Sequence, residues 1–176
     1  MKKSFFQSAA THGLLIGLAL IILSLLDWSL GFYGLNTPFS LLTYVVFIGG
    51  LVWSAIAYRQ QTGGYISYGQ AFGYSITVAA VYAVLAAVFS LLLMQVIDPT
   101  YMENVWALTE ETLLDAGMSQ AQVDMVMEMS SKISHPAITF ISSVFGTLLV
   151  SAIIALITSA IVKKVNTNPF AGGENL

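Results

Sequence analysis

Four long apolar stretches alternate with shorter polar segments along the chain. Each stretch is long enough, at a helical rise of about 1.5 Å per residue, to cross a hydrocarbon layer of roughly 30 Å. Backbone N–H and C=O groups in hydrocarbon must be paired within their own segment, so the pattern predicts helices rather than strands. The predicted helices cover residues 11–33, 39–58, 68–97 and 137–162. The expected fold class is therefore all-α, a polytopic membrane protein with four transmembrane helices.

The longest polar segment, residues 98–135, separates the third and fourth apolar stretches, and its apolar residues recur at helical spacings of three and four. Gly117 suits a left-handed helix end, and Ser119 with Gln122 suits a capping box at the start of a second helix. We expect an amphipathic helix pair inserted into a single domain that spans residues 1–176. The tail, residues 166–176, is rich in Asn, Gly and Pro and is expected to be mobile.

The basic residues predict the orientation of the helices, because lysine and arginine near helix ends are retained in the cytoplasm. With the N-terminus inside, five of the six basic residues face the cytoplasm: Lys2, Lys3, Arg59, Lys163 and Lys164. We expect both termini to be cytoplasmic, in a bacterial inner membrane, with residues 98–135 in the periplasm. The segment from Asp98 to Lys132 carries seven acidic residues and one basic residue, so this outer surface is expected to be negative.

The composition supports a membrane environment and excludes several functions. Hydrophobic residues make up 57% of the chain and charged residues 9%, whereas about a quarter of a soluble domain is charged. Membrane lipid is therefore an expected partner, and nucleic acid is not, because no basic surface is encoded. The chain has no cysteine and no recognisable catalytic motif, so we expect neither an enzyme nor a cofactor nor a metal. The methionines between residues 125 and 129 are interpreted as helix-interface filler rather than a copper site.

Small residues recur every fourth position on two of the predicted helices. Transmembrane helices associate where small residues let their backbones approach. We therefore expect two small-residue faces to pack against each other, on the third helix Ala71, Ser75, Ala79, Ala83 and Ala87, and on the fourth Ser143, Thr147, Ser151, Ala155 and Ser159.

Asp27 is the one acidic residue inside a predicted transmembrane segment, and such residues are the default candidates for function. It lies about six residues, or roughly 9 Å, from the predicted helix end. Asp98 and His135 flank predicted helices at the same membrane level, so the three form a candidate polar site if the bundle brings them together. His135 is then the first expected hydrogen-bond donor to Asp27, with Tyr33, Tyr82 and Tyr101 as further candidates. The alternative is that each is a helix cap or contacts lipid headgroups.

Two functional hypotheses follow. The leading one is a structural or accessory membrane protein that associates with itself or with an envelope complex through the acidic helix pair. The alternative is a small transporter or lipid-handling protein that uses a polar site near Asp27. A water-filled cavity that reaches Asp27 between the helices would favour the alternative, and a dry, fully packed bundle would favour the leading hypothesis.

Several landmarks resemble a known family. They are the Gly13 and Gly17 spacing, the pair Tyr58-Arg59, the run Gly-Tyr-Ile-Ser-Tyr-Gly-Gln-Ala-Phe at residues 64–72, and Ile-Asp-Pro-Thr-Tyr at residues 97–101. Up to about Lys164 the chain resembles a bacterial family catalogued as domain of unknown function 4199. The resemblance implies a four-helix inner-membrane protein of Gram-negative bacteria, and it brings no activity, cofactor or site residue.

Overall fold

A computed structural model describes residues 4–133 and 135–165. The helices are α1 (Phe5–Ser29), α2 (Thr37–Gln61), α3 (Tyr68–Leu92, followed by a π-helical turn, Leu93–Ile97), α4 (Tyr101–Asp115), α5 (Gln120–Ile133) and α6 (Pro136–Val162). Of these, α1, α2, α3 with its π-helical turn, and α6 are long and apolar enough to cross a membrane, which confirms the all-α fold with four spans. The predicted mobile tail, residues 166–176, and the first two lysines lie outside the described residues.

The ends of α1 differ from the prediction at both termini. The helix begins at Phe5 because Ser4 and Gln7 form a capping box, in which each side-chain oxygen accepts the backbone N–H of the other residue. It ends at Ser29, and the prediction that it continues to Tyr33 was wrong. Gly31 and Tyr33 have positive φ values of 74° and 50°, which a right-handed helix cannot accommodate. The segment after Ser29 is therefore a folded loop.

The four long helices form a bundle in which α3 occupies the centre. It packs most extensively against α6 and next against α1, while α2 contacts the other three. The bundle has two ends. The "Asp27 end" contains the C-termini of α1 and α3 and the N-termini of α2 and α6. The "Arg59 end" contains the opposite four termini.

The predicted small-residue faces of α3 and α6 pack against each other. All five small residues of α3 are buried, and on α6 the side chains of Ser151, Ala155 and Ser159 are inaccessible to solvent. Ser143 and Thr147, nearer the Asp27 end, are half-buried. The prediction of a shared small-residue interface is confirmed for the part of α6 from Ser151 to Ser159.

The Arg59 end is fastened by backbone contacts between the α2–α3 loop and the end of α6. The backbone N–H of Ile66 donates to the Lys164 carbonyl at 2.9 Å, and that of Lys164 donates to the Ile66 carbonyl at 3.0 Å. Arg59 Nη1 also donates to the Val162 carbonyl at 3.0 Å. We call these three hydrogen bonds the clasp. They fix the position of α6 along its axis relative to α2 and α3.

The predicted helix pair between the third and fourth spans is present as α4 and α5. Gly117 has a φ of 84° and separates them, and Gln122 Oε1 accepts the Ser119 backbone N–H at 2.9 Å. Val123 is fully buried, whereas Met125 and Met129 on the same helix are each 65% exposed. The pair therefore buries part of its apolar surface and leaves methionine side chains uncovered.

Candidate functional site

Asp27 lies in the last turn of α1 and is half-buried. Its carboxylate accepts the backbone N–H of Gly34 at 2.5 Å, because the loop after α1 turns back over the end of the helix. The φ of 80° at Gly34 allows this turn, since glycine adopts left-handed backbone conformations without steric cost. The loop therefore positions the carboxylate with one of its two oxygens bonded to the backbone.

The expected partnership between Asp27 and His135 was wrong. His135 is exposed and is the N-cap of α6, where its Nδ1 atom accepts the Ala137 backbone N–H at 3.3 Å. Among the described residues, no hydrogen bond or ion pair joins His135 to Asp27 or to Asp98. A histidine before proline is well placed to cap a helix, and that local role fixes its side chain.

Asp98 is held by a separate set of donors. It accepts hydrogen bonds from Trp28 Nε1 at 2.9 Å, from the Thr100 hydroxyl at 2.6 Å and from the Thr100 backbone N–H at 3.0 Å. The Thr100 hydroxyl and the Trp28 indole lower the pKa of the Asp98 carboxyl below its ordinary value. Asp98 is thus a charged carboxylate that links the end of α1 to the turn before α4.

Tyr101, the first residue of α4, stands close to both carboxylates. Burial raises the pKa of the Tyr101 hydroxyl above its ordinary value, and so do the negative charges of Asp27 and Asp98. Its ring also packs edge-to-face against Tyr33, with centroids 5.3 Å apart. The structure therefore brings Asp27 and Asp98 to the same tyrosine, while His135 stays apart.

A cavity of about 220 Å³ reaches Asp27 from the side of α2. Its wall combines a carboxylate, three aliphatic hydroxyls and two tyrosine rings: Ser24, Asp27, Gly34, Ser40, Thr43, Tyr44 and Tyr101. The bundle is consequently not fully packed at the Asp27 end.

Two further cavities adjoin the first and share Thr43 with it. One of about 220 Å³ continues toward the middle of the bundle among Leu20, Ile21, Ala86, Phe89 and Leu93. The other, of about 360 Å³, extends between α2 and α6 past Phe47, Gly146 and Val150. Tyr82 lines both. We call the three together the Asp27 crevice. Its polar groups are concentrated at the Asp27 end, and the rest of its wall is largely apolar.

Two hydroxyls of the crevice, those of Ser40 and Thr43, donate their protons to backbone carbonyls. The Ser40 hydroxyl donates its proton to the Gly34 carbonyl at 3.1 Å, and the Thr43 hydroxyl donates to the Phe39 carbonyl at 3.2 Å. Each oxygen retains lone pairs that can accept a further hydrogen bond. The polar end of the crevice therefore offers a carboxylate and acceptor oxygens to whatever occupies it.

A second polar cluster lies within the bundle near the Arg59 end. The Ser8 hydroxyl donates to Gln61 Oε1 at 3.0 Å and lies 3.0 Å from the Tyr74 hydroxyl, which in turn lies 2.5 Å from His12 Nδ1. These contacts form a continuous chain from Gln61 through Ser8 and Tyr74 to His12. His12 is 7% exposed, so it belongs to the interior of the bundle.

The residues that the sequence analysis missed are Thr43 and Tyr44, which line the crevice, and Tyr74, which is buried beside His12. A threonine or tyrosine in a hydrophobic run carries no sign of whether it faces lipid, a neighbouring helix or a cavity. Asp27 is the crevice residue that the sequence indicates most strongly, because its charge is costly anywhere in a membrane. Within the described residues, no group of three His, Cys, Asp or Glu side chains could hold a metal ion.

Comparison with known proteins gives one match. The sequence profile of the family described as "Protein of unknown function (DUF4199)" matches residues 11–164, which is most of the chain. Neither the curated proteins nor the solved structures contain a significant match.

Proposed function

We propose that this chain, which belongs to the DUF4199 family of proteins of unknown function, is a lipid-handling membrane protein that holds an amphiphile in the Asp27 crevice. The observation that carries the proposal is the division of the crevice wall into a polar end and a largely apolar remainder. An amphiphile has the same division. Its headgroup would meet Asp27 and the hydroxyls, and its chain would follow the apolar wall between α2, α3 and α6.

The size and rim of the crevice support such an occupant. Pockets for small ligands typically enclose about 300–1,000 Å³, and the three cavities together fall within that range. Tyr44 and Val150 on the wall are 57% and 44% exposed. The crevice therefore opens on the surface of the bundle that would face lipid, and a chain would enter from the bilayer without crossing the protein.

The structural or accessory role remains a second proposal. A dry, fully packed bundle would have favoured it, and the crevice instead supports the lipid-handling alternative. The structural or accessory role is supported by α5, where Met125 and Met129 are each 65% exposed beside acidic side chains. Exposed methionine suits an adaptable contact with a second copy of the chain or an envelope protein.

A bulky residue at Thr43 tests lipid binding, because Thr43 lines all three cavities. We expect Thr43→Phe to fill the crevice and reduce the lipid retained per protein after detergent purification by about tenfold, measured by native mass spectrometry. Thr77→Phe is the matched control. Thr77 is also half-buried and also donates to the carbonyl four residues earlier, but it lines a separate groove between α1 and α3. Equal lipid retention by the two variants would contradict the proposal.

The proposed location is a bacterial inner membrane with both termini in the cytoplasm. The supporting argument is the retention of basic residues on the cytoplasmic side, with Arg59, Lys163 and Lys164 at one end of the bundle. The helix pair α4 and α5 would then lie in the periplasm.

Single cysteines test this orientation cleanly, because the chain has none. In cells with a permeable outer membrane, we expect a membrane-impermeant thiol reagent to label Glu111→Cys and to leave Gln60→Cys unlabelled until the inner membrane is opened. Both positions are exposed, so access rather than burial decides the result. Labelling of Gln60→Cys alone would invert the orientation.

A further inference from the structure

We infer that the Asp27 crevice selects a lipid whose headgroup carries a primary ammonium group. This inference rests on the proposed function, since it names the chemistry of the headgroup that the crevice would hold. It follows from three properties of the polar end: its charge, its hydrogen-bonding capacity and its aromatic wall.

The charge of the polar end has no cationic counterpart in the described part of the chain. The ion pair in the described residues joins Lys132 to Glu128 on α5, and neither residue lines the crevice. No lysine or arginine lines any of the three cavities. Asp27 lines the cavity and accepts one backbone hydrogen bond, from Gly34, so its carboxylate can accept further hydrogen bonds. A bound cation would pair with the carboxylate, whereas a headgroup with no positive charge would give it no ionic partner.

The hydrogen-bonding capacity favours a donor-rich cation. A primary ammonium has three N–H donors and no acceptor. Asp27 offers a carboxylate, and Ser40 and Thr43 offer hydroxyl oxygens whose protons are already used on backbone carbonyls. A quaternary ammonium cannot donate to these groups, so it would leave them unpaired.

The aromatic wall adds a second attraction for a cation. Tyr44 and Tyr101 both line the cavity that contains Asp27. The face of an aromatic ring attracts a cation within about 6 Å of its centroid. The rings attract primary and quaternary ammonium groups alike, so they favour headgroups with a cation over headgroups without one. The acceptor oxygens then favour the primary ammonium over the quaternary ammonium, because only the primary ammonium can donate hydrogen bonds.

The test on the unmodified protein uses lipids of identical acyl chains and different headgroups. We expect phosphatidylethanolamine to bind best, the N-methyl and N,N-dimethyl derivatives progressively less, phosphatidylcholine about tenfold less, and phosphatidylglycerol less still, by competition for retained lipid in native mass spectrometry. All carry the same phosphate, so the series isolates the ammonium group. Free ethanolamine is expected not to displace the lipid, because it lacks the chain that fills the apolar wall.

Variants assign the selectivity to a residue. Asp27→Asn keeps the shape of the side chain, and we expect it to abolish the preference for phosphatidylethanolamine over phosphatidylglycerol. Asp98→Asn, a control at the same end of the bundle but outside the crevice, is expected to retain it. If Asp27→Asn does not fold, the methylation series on the unmodified protein decides by itself.

The outcomes separate the two proposals. Saturable binding that is equal for all headgroups, or stronger for phosphatidylglycerol, would overturn the ammonium inference and leave lipid binding standing. Displacement by free ethanolamine would show a site for soluble amines. If the unmodified protein binds none of these lipids saturably, and Thr43→Phe retains as much lipid as the unmodified protein, both proposals are overturned.

Discussion

Replacing Gly13 by alanine is expected to destabilise the protein, although alanine is the better helix former by about 1 kcal/mol. A Cβ atom at this position would lie 2.7 Å from Val81 Cβ and 2.8 Å from the Val78 backbone carbonyl oxygen. The carbonyl cannot rotate away, so α1 and α3 must separate and lose their contacts along the interface. We expect a net loss of about 1–3 kcal/mol, the usual cost of inserting a methyl group into a packed interior, seen as a lower melting temperature in detergent.

Gly73→Ala provides the control for helix propensity. Gly73 lies inside α3, and a Cβ atom there would have no neighbour within 4 Å. This variant is expected to be neutral or more stable by up to about 1 kcal/mol. Melting shifts of the same sign and size for the two variants would show that propensity, and not the approach of α1 to α3, governs stability.

Replacing Ala79 or Ala155 by leucine is expected to force α3 and α6 apart. Both alanines have no exposed surface, and they lie on the small-residue faces that join these helices. Helix association within lipid depends on close packing, because lipid tails are as apolar as leucine and give no hydrophobic force between helices. Each substitution is expected to cost about 1–3 kcal/mol or more, with a lower melting temperature and a larger detergent-bound radius on gel filtration.

Neighbouring alanines supply controls with the same change of side chain. Ala80 lines the groove between α1 and α3, which has room for a larger side chain, and Ala160 on α6 is exposed. Ala80→Leu and Ala160→Leu are expected to melt within a few degrees of the unmodified protein. If all four variants melt alike, the α3–α6 interface does not set the stability of the bundle.

The spans could be predicted because each rests on a strong local signal. Twenty or more apolar residues in succession have one stable conformation in a bilayer, and the alanine and serine spacing identifies which faces approach. The start of α3 was also recoverable, since Ser67 and Gln70 form the capping box that their spacing predicts. The end of α1 was not. Leu30 and Phe32 are as apolar as the helix before them, and the glycines between and after them stop the helix through backbone conformation.

The candidate site was predicted in part. Asp27 was identified by its charge in an apolar segment, and the crevice beside it became visible only from the structure, where residues of α1, α2, α3 and α4 line it. The expected donor, His135, was wrong because its backbone position before Pro136 assigns it to the start of α6. The donor to Asp27 is instead a backbone amide of Gly34, and sequence patterns do not mark which amide a loop will present.

The clasp anchors α6 at its C-terminal end. Two hydrogen bonds join Ile66 of the α2–α3 loop to Lys164, just after α6, and a third joins Arg59 of α2 to Val162, so a tilt of α6 would move its N-terminal end most. The 27 residues of α6 span about 40 Å, and a tilt of about 5° would carry its N-terminus through roughly 3–4 Å. Such a tilt would widen the gap beside Gly146 and Thr147 by a smaller amount, because these residues lie nearer than the N-terminus of α6 to the clasp. Because α6 packs most extensively against α3, such a tilt would also have to open the small-residue interface between the two helices.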